Sequence, residues 1–165
     1  MDRLWAPWRV KYIMKIDKTK GCVFCDILKG KDDKKNLIFI RTPFSFAVLN
    51  LYPYNNGHSL ILPNRHVGDL SKLKRPERDD LLDLLEYVRK LMDGVLHPQG
   101  YNIGMNLGRV AGAGFPGHLH IHVVPRWKGD VNFMPAIAET KVISQSLKVL
   151  HRLLSEAHKS NKQRN

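Results

Sequence analysis

The groups able to do chemistry near neutral pH are concentrated in one stretch, Gly117-His118-Leu119-His120-Ile121-His122-Val123-Val124-Pro125. Successive side chains of a strand point to opposite faces, so His118, His120 and His122 should share one face and Leu119, Ile121 and Val123 the other. At a rise of about 3.4 Å per residue the outer imidazoles stand roughly 13 Å apart, the span of a short phosphate chain with its flanks. A helix would scatter the three rings, and Pro125 closes the run in the way a strand end tolerates. Burying three imidazoles together would desolvate groups that titrate near neutrality, so their face should be a wet cleft. Two chemistries fit: a metal held by alternating histidines, or phosphorus chemistry with imidazole as nucleophile and acid.

Other residues bear on the same site. Cys22 and Cys25, the only cysteines, are spaced as a metal half-site or as free thiols, and no thioredoxin-like strand-to-helix pattern surrounds them. The loop Ala111-Gly112-Ala113-Gly114-Phe115-Pro116-Gly117 can bring backbone N–H groups close to an anion. A net charge of +12 draws polyanions, nucleotides and nucleic acids alike, unless the basic ends merely solvate the chain. No apolar run approaches 18 residues and no signal-peptide core opens the chain, which predicts a soluble cytoplasmic protein without a membrane partner.

These residues need a frame, and the chain supplies one. With 165 residues it fits a single domain, 1–165, with an N-terminal arm over 1–20 and a basic tail over 159–165. Trp5 and Trp8 in the arm should anchor it to the domain or to a second subunit. The charged stretch Lys29 to Lys35 reads as a solvated turn. Strand signals run over Leu37–Arg41, Phe44–Asn50 and Gly57–Pro63, with a turn at Asn55-Asn56-Gly57. Leu81, Leu85, Val88, Met92 and Val95 draw one stripe on a helix from Pro76 to about Leu96, ended by Pro98. Tyr101–Leu107 reads as a fourth strand and the histidine run as a fifth. Residues 126–134 read as irregular, and a last helix over about Ala138–Ala157 carries Ile143, Leu147, Leu150 and Leu154. His97, His151 and His158 read as helix-end or surface residues. The fold class is α+β: an antiparallel sheet of about five strands, one long helix across it and a C-terminal helix.

The run His118-Leu119-His120-Ile121-His122-Val123-Val124 resembles the signature of the histidine-triad superfamily of nucleotide hydrolases and transferases. Asn50, Gly57-His58-Ser59-Leu60-Ile61-Leu62-Pro63 and Asn106 precede it in that family's order. Leu4-Trp5-Ala6-Pro7-Trp8-Arg9 and the segment from Pro125 to Pro135 are similar to a bacterial branch that includes diadenosine tetraphosphate phosphorylases. The resemblance implies that His120 attacks the α-phosphorus of a nucleotide, that His122 and His58 donate hydrogen bonds to phosphate oxygens, and that His118 assists. It places Asn50 on the ribose, Asn106 by a phosphate, and Ile27, Phe46 and Leu51 around the base, and Gly114, Phe115 and Gly117 of the glycine loop join them as nucleotide-binding candidates. It leaves Trp127 over the second nucleotide or in a dimer interface. Where several hydrolase branches carry Gln or Ser before the first triad histidine, this chain has Gly114 and Phe115.

The same resemblance implies a homodimer and a structural zinc bound by Cys22, Cys25, His66 and His118. The implied reaction is cleavage of a dinucleoside polyphosphate with inorganic phosphate as acceptor; hydrolysis of a nucleoside phosphoramidate or acyl-adenylate is the alternative. Two readings of other classes stay open: a nucleic-acid-binding protein, with nucleic acid not expected as the primary partner, and a metalloenzyme with a histidine-bound catalytic ion.

Overall fold

A computed structural model describes residues 21–130 and 143–164. The expectations for Trp5, Trp8 and the arm, and for residues 131–142, lie outside the described residues. Five strands form one antiparallel sheet: β1 (Ile38–Arg41), β2 (Ser45–Leu49), β3 (Ser59–Pro63), β4 (Gly100–Gly104) and β5 (Ile121–Arg126). Their order across the sheet is β1-β2-β3-β5-β4. The helices among the described residues are α1 (Val23–Lys29), α2 (Asp33–Asn36), α3 (Arg75–Leu96) and α4 (Leu147–Arg164).

Strand alternation divides the apolar residues between two cores. Ala47, Leu49, Ile61, Ile121 and Val123 face α3 and α4, which bring Leu81, Leu84, Val88, Leu91, Met92, Leu150 and Leu154. Phe46, Val48, Leu60 and Leu62 face the other way, toward Phe24 of α1 and Ile38. The histidines open onto this second, less covered face. Gly57 carries φ +78°, and a Cβ there would strike Leu96 and Pro125, so the turn into β3 demands glycine.

Several expectations are corrected. The last strand begins at Ile121, leaving His118 and His120 in the chain leading into it, and it runs through Pro125 to Arg126. Beyond Val123, β3 no longer pairs with β5, so the proline lies where only β4 is beside it and a missing N–H is tolerated. The turn expected at Lys29–Lys35 contains α2, capped by Asp32, whose carboxylate accepts the Lys35 N–H at 2.9 Å. On α3 the buried stripe uses Leu84 and Leu91, while Leu85 and Val95 are half-buried. The final helix starts at Leu147, where Ser146 accepts the Val149 N–H, and it continues through the expected basic tail to Arg164. His151 is interior, its Nε2–H donating to the Ile38 carbonyl at 2.8 Å. His158 is half-buried and accepts a hydrogen bond from the Tyr87 hydroxyl at 2.9 Å.

Candidate functional site

The histidine run divides into two sites. His118 is 1% exposed, correcting the expectation that the whole face is wet. Its Nε2–H donates to the Pro63 carbonyl at 2.9 Å, which leaves the Nδ1 lone pair facing sulfur: Cys22 Sγ at 3.3 Å and Cys25 Sγ at 3.6 Å. His66 Nδ1 lies 3.3 Å from Cys25 Sγ, and the ligand atoms of all four side chains fall within 4.8 Å of one another. In a tetrahedral zinc site with bonds of about 2.3 Å to sulfur and about 2.1 Å to nitrogen, the sulfur–nitrogen edge is about 3.6 Å. The donor set, its spacing and the carbonyl behind His118 therefore fit that ion. Three parts of the chain meet here: the start of α1, the segment after β3, and the approach to β5. Gly68 permits the meeting, since a Cβ would collide with the Pro116 carbonyl.

The second site holds His120, His122 and His58. His120 Nδ1–H donates to the carbonyl of His118 at 2.9 Å, so the proton of the neutral ring sits on Nδ1 and the lone pair on Nε2. Burial pushes its pKa below the ordinary histidine value, favouring the neutral form. His58 is fully buried, and its Nδ1 accepts the Tyr54 backbone N–H at 2.9 Å. Its proton must then be on Nε2, which donates to His122 Nδ1 at 2.9 Å. This in turn places the His122 proton on Nε2. Three neutral tautomers thus follow from two backbone groups, one carbonyl and one N–H. Asn50 braces the relay, its amide nitrogen 3.3 Å from His58 Nδ1 and its oxygen accepting the Tyr52 N–H at 3.0 Å.

Beside these rings lies a cavity of about 400 Å³. Ile27, Asn50, Leu51, Asn106, Gly114, Phe115, His120 and His122 line it, each named in advance from sequence. Other expected residues lie elsewhere. Phe46 is completely buried in the core behind the wall, and Gly117 packs against His66 in the cysteine cluster. Trp127 turns away, its Nε1–H reaching the carbonyls of Leu96 and His97 at the end of α3. Within the glycine loop, the amides of Gly112 and Ala113 donate to the Arg109 and Gly108 carbonyls and close the loop on itself, while Gly112, Gly114 and Phe115 line the cavity. Sequence reasoning missed Phe24, Tyr52 and Tyr54, all of which line the cavity. Phe24 sits 5.3 Å from the His120 ring, and Tyr54 lies 4.6 Å from His58 and 5.9 Å from His122, measured between ring centroids.

Residues 31–129 match the family model described as HIT domain. The chain belongs to the HIT family. Among HIT relatives, a Mycobacterium tuberculosis (strain CDC 1551 / Oshkosh) protein named AP-4-A phosphorylase is 39% identical over 163 residues, covering 94% of this chain and 83% of its own. An adenosine 5'-monophosphoramidase from Schizosaccharomyces pombe is 33% identical over 106 residues, 64% of this chain and 74% of the relative. A solved Zn-bound histidine triad family protein from Mycobacterium smegmatis superposes with a TM-score of 0.69 at 24% identity, covering 88% of this chain and 98% of that one. That likeness supports the HIT fold of the chain. Among the described residues no helix is long and apolar enough to cross a membrane.

Proposed function

We propose that this protein cleaves dinucleoside polyphosphates such as diadenosine tetraphosphate through a covalent nucleotidyl-histidine, with inorganic phosphate as the acceptor. The observation that carries the reading is the tautomer of His120. A buried, neutral imidazole with Nδ1–H committed to a carbonyl presents its Nε2 lone pair to the cavity, as a nucleophile requires. Nε2 attacks the α-phosphorus, the bond to the bridging oxygen breaks, and the rest of the polyphosphate departs. Phosphate then attacks the same phosphorus from solution, the P–N bond breaks, and His120 is regenerated. His122 Nε2–H donates to phosphate oxygens where charge accumulates, and His58 holds it in that tautomer. Apolar side chains of Phe24, Ile27, Leu51 and Phe115 receive a base, with Asn50 and Asn106 toward ribose and phosphate.

Similarity over most of the chain to the mycobacterial phosphorylase favours phosphate over water. The second reading, hydrolysis of a nucleoside phosphoramidate or acyl-adenylate, is favoured by the monophosphoramidase relative and uses the same rings with water in the second step. Cys22, Cys25, His66 and His118 would hold a structural zinc. Four protein donors leave no open position for catalysis, and when bound the ion ties α1 to the sheet. Reduced thiols at that cluster suit the cytoplasm. The protein forms a homodimer in this reading, for which β4 is an edge strand and Ile103, Met105 and Leu107 are exposed along and beyond it.

The test is product analysis on diadenosine tetraphosphate with and without inorganic phosphate. ADP plus ATP formed only with phosphate is the expected result, and AMP plus ATP irrespective of phosphate makes the protein a hydrolase. His120→Ala should abolish turnover and leave nucleotide binding in place; near-normal turnover in that variant sinks the mechanism.

A further inference from the structure

Four rings neighbour one another in succession through the site. Phe24, His120, His122 and Tyr54 follow one another with centroids 5.3, 5.1 and 5.9 Å apart. The two ends differ. Phe24 belongs to the buried core with Phe46, Leu60 and Leu62, so that end is a closed apolar wall. Tyr54 keeps 38% of its surface exposed, and Tyr52 and Leu51 beside it on the cavity rim are more exposed still. A substrate whose first base lies against Phe24 and whose phosphates lie against His120 and His122 can continue past Tyr54 on the cavity rim.

The segment carrying these tyrosines is fixed before any ligand arrives. Asn50 Oδ1 holds the Tyr52 N–H, and the Tyr54 N–H is held by His58 Nδ1. At the far end, Asn55 donates to the Pro125 carbonyl at 3.1 Å and to Asp130 at 2.7 Å. Pro53 removes one backbone torsion between the two rings. Tyr54 lies almost parallel to His122, at 18°, and nearer to His58, at 4.6 Å between centroids, while 38% of the residue stays exposed. Large exposed aromatics on a pinned loop have little reason to be there for packing alone, because each exposes apolar area.

We propose that Tyr54, with Tyr52 beside it, is the stacking platform for the leaving nucleoside and sets a preference for substrates with a base at both ends. The proposal rests on the dinucleoside polyphosphate reading given above. It also reassigns the task expected of Trp127, whose indole is spent on α3. A nucleobase stacked on an aromatic ring gains enough to move an affinity by on the order of tenfold, because each tenfold is about 1.4 kcal/mol. The aromatic face supplies this gain, and the phenolic hydroxyl is dispensable to it.

Tyr54→Leu keeps bulk over the histidines and removes the aromatic face; Tyr54→Phe and Tyr54→Trp keep the face. KM and kcat are measured on diadenosine tetraphosphate and on adenosine 5'-phosphoramidate, whose leaving group has no ring. The platform predicts that Tyr54→Leu loses about tenfold more kcat/KM on the dinucleotide than on the phosphoramidate, chiefly through KM, and that Phe and Trp restore the ratio. Equal loss on both substrates, or none on the dinucleotide, overturns it. Calorimetric titration in a His120→Ala background separates this proposal from the reaction itself. There Tyr54→Leu should weaken diadenosine tetraphosphate about tenfold more than AMP, and equal weakening overturns the platform whether or not wild-type protein turns over the dinucleotide. Wild-type protein that binds but never cleaves it overturns the reaction alone. Tyr52→Leu, at an exposed position, repeats the titration should Tyr54→Leu fail to fold, and an unchanged ratio there counts against the platform.

Discussion

His58 offers a way to separate what the relay does for chemistry from what it does for the loop. Its two nitrogens have different partners: Nδ1 accepts from the Tyr54 backbone, and Nε2–H donates to His122. Asparagine reaches only as far as Nδ1, so His58→Asn can keep an oxygen for the Tyr54 N–H while removing the donor to His122. Glutamine reaches toward Nε2, so His58→Gln can keep an amide N–H for His122 while leaving the Tyr54 N–H without its acceptor. Each orphaned buried group costs about 1–3 kcal/mol. At this chain length each kcal/mol lowers Tm by about 2–4 °C, so His58→Gln should melt about 5 °C below wild type. Its activity should fall by about tenfold at most. His58→Asn should show the reverse emphasis: His122 is released from the Nε2–H tautomer, and losing a preorganised donor to the phosphoryl oxygens costs about 10²–10³ in kcat. Thermal melts and kcat/KM on diadenosine tetraphosphate check both variants, and nitrogen–proton correlation spectra of the histidine rings read the tautomers directly. A wild-type spectrum with the His122 proton on Nδ1, or equal activity losses in the two variants, refutes the reasoning.

Two further outcomes concern the frame around the site. The Glu77 carboxylate accepts two bonds from Arg65 at 2.7 Å and one from the Lys74 N–H at 2.8 Å, and these partners hold its pKa at about 2 against an ordinary 4.5. A lowered folded pKa gives stability that is present above pH 4.5 and lost as pH falls toward 2. Since the Arg65 side chain is 44% exposed, water screens the pair, and the Tm gap between wild type and Glu77→Gln should close over that interval; a constant gap argues against it. A metal joining Cys25 to His66 closes a loop of 41 residues, worth about 4 kcal/mol in chain entropy, so chelation should lower Tm by about 10 °C. Cys25→Ser should already melt low and respond little to chelator; an identical response to wild type counts against the site.

How much of this was legible in sequence depended on whether the signal was local. The alternation of His118, His120 and His122 with aliphatic residues is a period-two pattern, and strand geometry converts it into a shared face without further information. The other strands were legible as short apolar runs between turn signals, and the long helix from an apolar stripe recurring every three to four residues. What sequence could not supply was the depth at which each ring lies, because that depends on α1 folding over the sheet and bringing Phe24 against His118 and His120. The two Leu-Leu pairs of α3, Leu81-Leu82 and Leu84-Leu85, offered alternative stripes, and tertiary packing chose Leu84 over Leu85. Trp127 looked suitable for a ligand because it closely follows the histidines, yet a strand carries the chain about 3 Å further per residue and away from the cavity. Tyr54 gave a signal that went unused: two tyrosines flanking Pro53, just ahead of His58, on a loop too short to bury both.

The group that orients His120 is the carbonyl of His118, and a carbonyl belongs to every amino acid. In a catalytic apparatus that relies on a carboxylate side chain for this task, one codon change can disable the orienting group. Here no single substitution can delete it; only a change in the path of the chain can. Position 118 therefore answers to two separate demands. Its side chain sits with Cys22, Cys25 and His66, while its backbone carbonyl holds the His120 ring and is indifferent to which residue is present. A lineage could change the side chain at this position and keep the His120 ring oriented, provided the approach to β5 held its course.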